Sequence, residues 1–148
     1  MNMNETIQIQ EERVAVGCLS CYNDGRLSYK WMNADELEEA YEGKGLAQTV
    51  CKQPITVYHN PEEWEIQDYD GEIGRLNLGG WPNIENLVNM MRLMTDDPTK
   101  YVPAYEAACN RYTDPTADQV EEVAEMMYHI GDQSLEDYFM EQAYDIGD

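Results

Sequence analysis

The side chains best suited to chemistry in this sequence are few: Cys18 and Cys21 in a Cys-x-x-Cys, then Cys51, Cys109, His59 and His129. A Cys-x-x-Cys serves as a redox pair or as half of a zinc site. The zinc reading asks for a second close pair of ligands, and along the chain Cys51 and Cys109 stand alone while both histidines are distant from the motif. Cys18 also ends an apolar run, Val14-Ala15-Val16-Gly17-Cys18, in which a thiol behaves as a small hydrophobe. The expectation is free thiols, no metal and no cofactor, in keeping with a reducing cytoplasm.

Other chemistry is thinner still. The chain has no Gly-rich phosphate loop, no nucleophile elbow and no His-Glu-x-x-His. Asp68-Tyr69-Asp70-Gly71-Glu72 has the opening rhythm of a calcium loop, but no Glu closes it at the required distance. Neither histidine has a nearby Ser or Cys in sequence to activate. No catalytic residue is assigned, and the expectation is a protein that is not an enzyme.

What the chain has in abundance is carboxylate. Its 148 residues carry 30 Asp and Glu against 9 Lys and Arg, a formal net charge of −21. Such a surface repels a phosphate backbone, so direct nucleic-acid binding is excluded, and an anionic membrane surface is excluded for the same reason. No run of about 18 apolar residues is available for a membrane span. Met1-Asn2-Met3-Asn4-Glu5 has neither the basic nor the apolar region of a signal peptide, so the expected location is cytoplasmic. A hydrophobic fraction of 43%, with 11 Tyr and 9 Met, separates the chain from disordered acidic tails.

The elements that would hold these carboxylates can be read from periodicity. Residues 1–12 are polar and read as a loose lead-in. Alternation over 13–18, the Tyr22-Asn23-Asp24-Gly25 cluster and Leu27 to Met32 predict a β-hairpin over 13–32. Asn33 with Glu36 has capping-box spacing and predicts a short helix ended by Gly43 and Gly45. Ile55 to His59 and Glu63 to Tyr69 read as extended; in the second, alternation sets Trp64, Ile66 and Asp68 against Glu63, Glu65, Gln67 and Tyr69. Gly79-Gly80-Trp81-Pro82 marks a boundary.

Helical patterns follow. Asn83 caps a stripe of Ile84, Leu87, Val88, Met91 and Met94; Asp97-Pro98 opens a second helical region, with Pro103 limiting its regular part to about 104–112. Thr116 with Gln119 caps a third helix with Val120, Val123, Ala124, Met127 and Ile130 buried, and Ser134 caps a fourth. The fold class expected is α+β: a small N-terminal antiparallel β-sheet with a short helix over 13–82, then an acidic all-helical bundle over 83–148.

Residues 1–82 have 15 acids and 6 bases, while 83–148 have 15 acids and 3 bases, so the helical half is the more anionic. On the third helix Asp118, Glu122 and Glu125 fall at i, i+4 and i+7 with Glu121 beside them. At a rise of about 1.5 Å per residue such a row places a charge roughly every 5 to 6 Å. That is the scale of a phosphate ladder, which advances about 3.4 Å of axis per nucleotide and farther along the backbone. The plain reading is a solvated face that keeps the protein soluble.

The stretch Val14 to Trp31, with Tyr22-Asn23-Asp24-Gly25, followed by Glu63-Trp64-Glu65-Ile66-Gln67-Asp68-Tyr69-Asp70-Gly71, resembles the ArdA antirestriction family. Tyr22, Asn23 and Gly25 match its hairpin, Trp31 its second strand and Asp68-Tyr69-Asp70 its acidic strand. The resemblance covers about residues 13–95 in motif and 96–148 in character. It implies an inhibitor of type I restriction–modification enzymes that imitates bent B-form DNA and takes the DNA-binding groove, with a DNA-binding protein as partner. Family chains usually continue into a C-terminal α/β domain that supplies a dimer interface, whereas this sequence stops at Asp148, so that domain is expected to be absent and a homodimer is left open. The acidic surface expected to meet the partner comprises Glu63, Glu65, Asp68, Asp70, Asp114, Asp118, Glu121, Glu122, Glu125, Asp132, Glu136, Asp137 and Glu141. The alternatives are an acidic protein-interaction module working through exposed Tyr or Met, an anti-CRISPR-like inhibitor of an RNA-guided nuclease, and a hydrolase using a carboxylate pair.

Overall fold

A computed structural model describes residues 11–130. The fold class is α+β, as the periodicity implied, with a three-stranded antiparallel sheet followed by helices. Strands β1 (Arg13–Cys18), β2 (Tyr29–Met32) and β3 (Trp64–Asp70) lie in the order β2-β1-β3. As the central strand, β1 is buried from Val14 through Cys18 without interruption, which is why its sequence is an apolar run.

Between β1 and β2 the chain departs from the expected tight hairpin. One helical turn, α1 (Leu19–Asn23), follows Cys18 directly, and Asn23-Asp24-Gly25 closes that turn. Gly25 has φ 79°, and Arg26 N–H returns to the Cys21 carbonyl at 2.8 Å. The positive-φ signal was real, but it serves a helix end. The strands still pair antiparallel, Val14 opposite Met32 and Gly17 opposite Tyr29.

Strand β3 also differs from simple alternation. Val16 pairs with Ile66 and Ala15 with Asp68, so Gln67 is an extra residue, a β-bulge. Beyond it the faces exchange: Tyr69, opposite Val14, joins Ile66 on the core face, while Asp68 joins Glu65 and Asp70 on the other. The outer edge of β3 is covered by the chain that returns through Gly79 to Trp81. Ile66 N–H donates to Gly80 O at 2.8 Å, the Trp81 indole donates to Trp64 O at 2.9 Å, and the Tyr69 hydroxyl donates to Gly79 O at 2.5 Å.

Around the sheet stand α2 (Ala34–Glu42), α3 (Leu46–Val50), a 3-10 turn (Glu72–Leu76) and α4 (Ile84–Asp96). The Asn33 and Glu36 capping box forms reciprocally at 2.9 and 3.0 Å. In α4, Asn83 accepts from Asn86 N–H at 2.9 Å, and the buried face includes the expected stripe plus Met90 and Leu93. Burying each of these side chains contributes about 1.5–3 kcal/mol. The expected extended segment 55–59 forms no strand. It is flanked by Pro54 and Pro61, lies at the surface, and folds into a turn in which Thr56 and His59 exchange backbone hydrogen bonds at 2.9 and 3.2 Å.

Glu12 shows that the polar lead-in is anchored where it meets the sheet. Its carboxylate is 3% exposed and accepts from the amides of Glu72 at 3.1 Å and Ile73 at 2.5 Å. Gly71 makes room for it, with φ 106° and no Cβ; a Cβ there would lie 2.5–2.9 Å from the Glu12 carboxylate. Gly71→Ala therefore meets both backbone strain and a clash, and is expected to lower stability by about 1–3 kcal/mol in urea denaturation. An unchanged midpoint would show that neither the positive φ nor the Glu12 contact opposes a Cβ there.

The chain divides into two compact units, one through Asp96 and one from Asp97. The division thus lies beyond the Gly79 to Pro82 stretch, because α4 packs on α2 and its Arg92 bridges Asp35 at 2.8 Å and Glu38 at 3.0 Å on that helix. In the second unit α5 (Pro98–Ala108) packs against α6 (Ala117–Ile130). Helix α5 runs through Pro103 and ends at Ala108, earlier than the pattern implied. Asp97 caps it through Lys100 N–H at 3.2 Å, and Pro98 occupies its first turn. The Thr116 and Gln119 box starts α6, at 2.9 and 3.2 Å. The helix expected after Ser134 lies outside the described residues.

Candidate functional site

The acidic residues singled out from sequence fall on both units. In the first, the bulge at Gln67 gathers Glu65, Asp68 and Asp70 on one face of β3, where alternation would have divided them. Asp70 is held by Arg13 at 2.6 Å, with the guanidinium over the Trp31 ring, so part of its charge is neutralised. Glu63 lies exposed just before the strand, its carbonyl accepting from Leu19 N–H. Tyr69, between the two aspartates, is pushed by burial to a pKa of about 12 and remains a neutral donor to the Gly79 carbonyl.

In the second unit Asp114 is exposed in the turn before α6, with φ 50°. Along α6, Asp118, Glu121, Glu122 and Glu125 are all exposed while Ala117, Val120, Val123 and Ala124 are buried. The helix has no Lys or Arg in its 14 residues. Its four carboxylates thus occupy i, i+3, i+4 and i+7, a continuous row on one side of the helix. Asp132, Glu136, Asp137 and Glu141 lie outside the described residues.

Helix α2 holds an acidic cluster that the sequence reading did not assign. Ala34 to Glu42 includes Asp35, Glu36, Glu38, Glu39 and Glu42. Three have local duties: Glu36 closes the capping box, and Asp35 and Glu38 hold Arg92, whose charge they stabilise further, Glu38 most. The density of Glu was the available signal. The shallow depressions of this unit collect carboxylates already engaged in this way, among them Glu12, Asp35 and Glu36.

The cysteines present the clearest departure from the linear reading. The fold brings Cys51, from the end of α3, and His59, from the Thr56 turn, to the Cys18-x-x-Cys21 corner, with all four ligand atoms within 4.8 Å of one another. Cys21 Sγ lies 3.6 Å from Cys51 Sγ and 3.5 Å from His59 Nε2, and Cys51 Sγ lies 3.2 Å from His59 Nε2. Burial drives the Cys18 thiol up to about 11. Burial also opposes ionisation of Cys21, but its side-chain hydrogen bonds with Ser28, Cys18, Cys51 and Gln53 together hold it at about 6. Cys109 is exposed just past α5 and is no part of this group.

Among the described residues, no helix is long and apolar enough to cross a membrane. Comparison with curated proteins and with solved structures returns no match. The family model described as antirestriction protein (ArdA) matches residues 14–147, spanning the sheet with its Tyr22-Asn23-x-Gly25 and Asp68-Tyr69-Asp70 motifs and the acidic helices that follow. A match over nearly the whole length makes this chain a member of the ArdA antirestriction family, a family of inhibitors of restriction enzymes.

Proposed function

We propose that this protein inhibits a DNA-binding enzyme, a type I restriction–modification enzyme in the first place, by setting carboxylates where that enzyme expects phosphates. The observation that carries this reading is the α6 row: Asp118, Glu121, Glu122 and Glu125 exposed on a helix without Lys or Arg. Row spacing of about 5–6 Å follows from the helical rise, and the buried Val120 and Val123 fix which side faces out. A groove lined with Lys and Arg is then filled without bending or unstacking a duplex, and opposite charges speed the encounter. No bond is made or broken.

Purified enzyme, assayed for DNA cleavage and for methylation with and without the chain across a salt series, tests this. Inhibition is expected at about 50 mM salt and should weaken by at least an order of magnitude by about 200 mM, as for phosphate contacts. Absence of inhibition at low salt would reject the proposal.

A second reading rests on Val57 and Tyr58, which are 91% and 96% exposed on the turn that carries His59. Adjacent apolar side chains this exposed suit a protein contact. In that case Val57→Ala with Tyr58→Ala abolishes inhibition and salt has little effect. The electrostatic reading expects a change of no more than about threefold from the pair.

A further inference from the structure

We infer that Cys18, Cys21, Cys51 and His59 form a structural zinc site. These residue types are the borderline-soft sulfur and imidazole donors that zinc takes in Cys3His sites. Around a tetrahedral zinc, bonds of about 2.3 Å to sulfur and 2.0–2.1 Å to nitrogen put sulfurs roughly 3.8 Å apart and sulfur and nitrogen roughly 3.5 Å apart. The separations here are 3.6 Å for Cys21 to Cys51, 3.5 Å for Cys21 to His59 and 3.2 Å for Cys51 to His59. Cys18 completes the set, its sulfur within 4.8 Å of the other three ligand atoms.

The surroundings favour a metal over a chance meeting of side chains. The imidazole turns Nε2 to the sulfurs, while its Nδ1 meets Asp24 Oδ2 at 3.1 Å. That is the carboxylate partner that fixes the tautomer and orientation of a zinc-bound histidine. Gln53 donates Nε2–H to Cys21 Sγ at 3.2 Å, a bond that favours a thiolate. Cys18 and Cys21 sit where β1 ends and α1 begins, both buried, so that one short turn supplies two ligands from a rigid corner. The other two come from residues 51–63, a stretch with no helix or strand of its own. Zinc there ties that stretch, with Val57 and Tyr58 at its tip, to the central strand.

Binding is a ligand exchange without change of oxidation state. Zn2+ leaves its waters, Cys18, Cys21 and Cys51 bind as thiolates, their three S–H protons pass to the buffer, and neutral His59 donates the Nε2 lone pair. The ion so held carries a net charge of −1 with its ligands.

The test uses the full chain, purified without chelator from zinc-replete cells. Native mass spectrometry and elemental analysis are expected to give one zinc per chain, and Co2+ exchanged into the site should show the intense visible bands of a tetrahedral thiolate complex. Cys109→Ser keeps the metal; Cys51→Ser and His59→Ala lose it or weaken binding by at least 100-fold. Chelation is expected to lower Tm by about 10 °C or more. Because the wild-type stoichiometry needs no folded variant, less than a tenth of an equivalent of zinc together with no cobalt bands overturns the inference. So does a Cys21–Cys51 disulfide isolated under reducing-compartment conditions. Inhibition of a restriction enzyme is not the readout, so this result stands apart from the one above.

Discussion

Replacing Asp118, Glu121, Glu122 and Glu125 together by Asn or Gln is expected to weaken inhibition of a type I enzyme by about 100-fold at low salt, whereas each single replacement costs less than about fivefold. Four carboxylates each worth about 0.5–1 kcal/mol against basic side chains sum to roughly 2–4 kcal/mol, and 1.4 kcal/mol is tenfold in affinity. The helix itself should not suffer. The row sets like charges one turn apart, Asp118 against Glu121 and Glu122, so neutralising these three removes repulsion. Only Asp118, in the first turn, favours the helix dipole. The quadruple variant is therefore expected to lose inhibition while its Tm stays within a few degrees of wild type. Loss of inhibition from one substitution alone would show a single dominant contact and contradict a distributed imitation of phosphates.

Glu12→Ala is expected to lower stability by about 2–3 kcal/mol, because the buried amide of Ile73 and the part-buried amide of Glu72 lose their acceptor. The size of that loss depends on pH in a definite direction. Burial raises the Glu12 pKa above its ordinary 4.5, outweighing the two amide hydrogen bonds that lower it; nearby Glu72 and Asp70 raise it further. A carboxyl whose folded pKa is raised contributes its full stability below its unfolded pKa and loses part of it as pH rises through the folded value. The difference between wild type and Glu12→Ala should thus be greatest at the acid end, at and below pH 4.5, and shrink toward neutrality. Urea denaturation of both proteins from pH 4.5 to 7.5 checks this, and a difference that grows with pH would mean that the amide bonds outweigh burial.

Features written in neighbouring residues were legible in the sequence, and features made by distant ones were not. The boxes of Asn33 with Glu36 and Thr116 with Gln119, and the stripe from Ile84 to Met94, depend on contacts within one or two turns. Residues 23–25 showed a positive-φ turn correctly, but whether it joined strands or closed a helical turn depended on how Cys18 to Tyr22 packed against β1. The bulge at Gln67 depends on the register of β3 on β1, fifty residues away in sequence, and it decides which carboxylates share a face. The row on α6 could be seen because a helix keeps its own period. The meeting of Cys51 and His59 with Cys18 and Cys21 could not, since nothing in the spacing says that α3 and the turn after it return to the end of β1.

Displacement is the most direct test of imitation. A labelled duplex bound to a type I enzyme is titrated with the chain at low salt, and enzyme bound to duplex, to chain or to both is counted. Each chain bound is expected to release the duplex, with the apparent affinity falling steeply as salt rises. A ternary complex in which the enzyme holds duplex and chain at once, with DNA affinity unchanged, would contradict it.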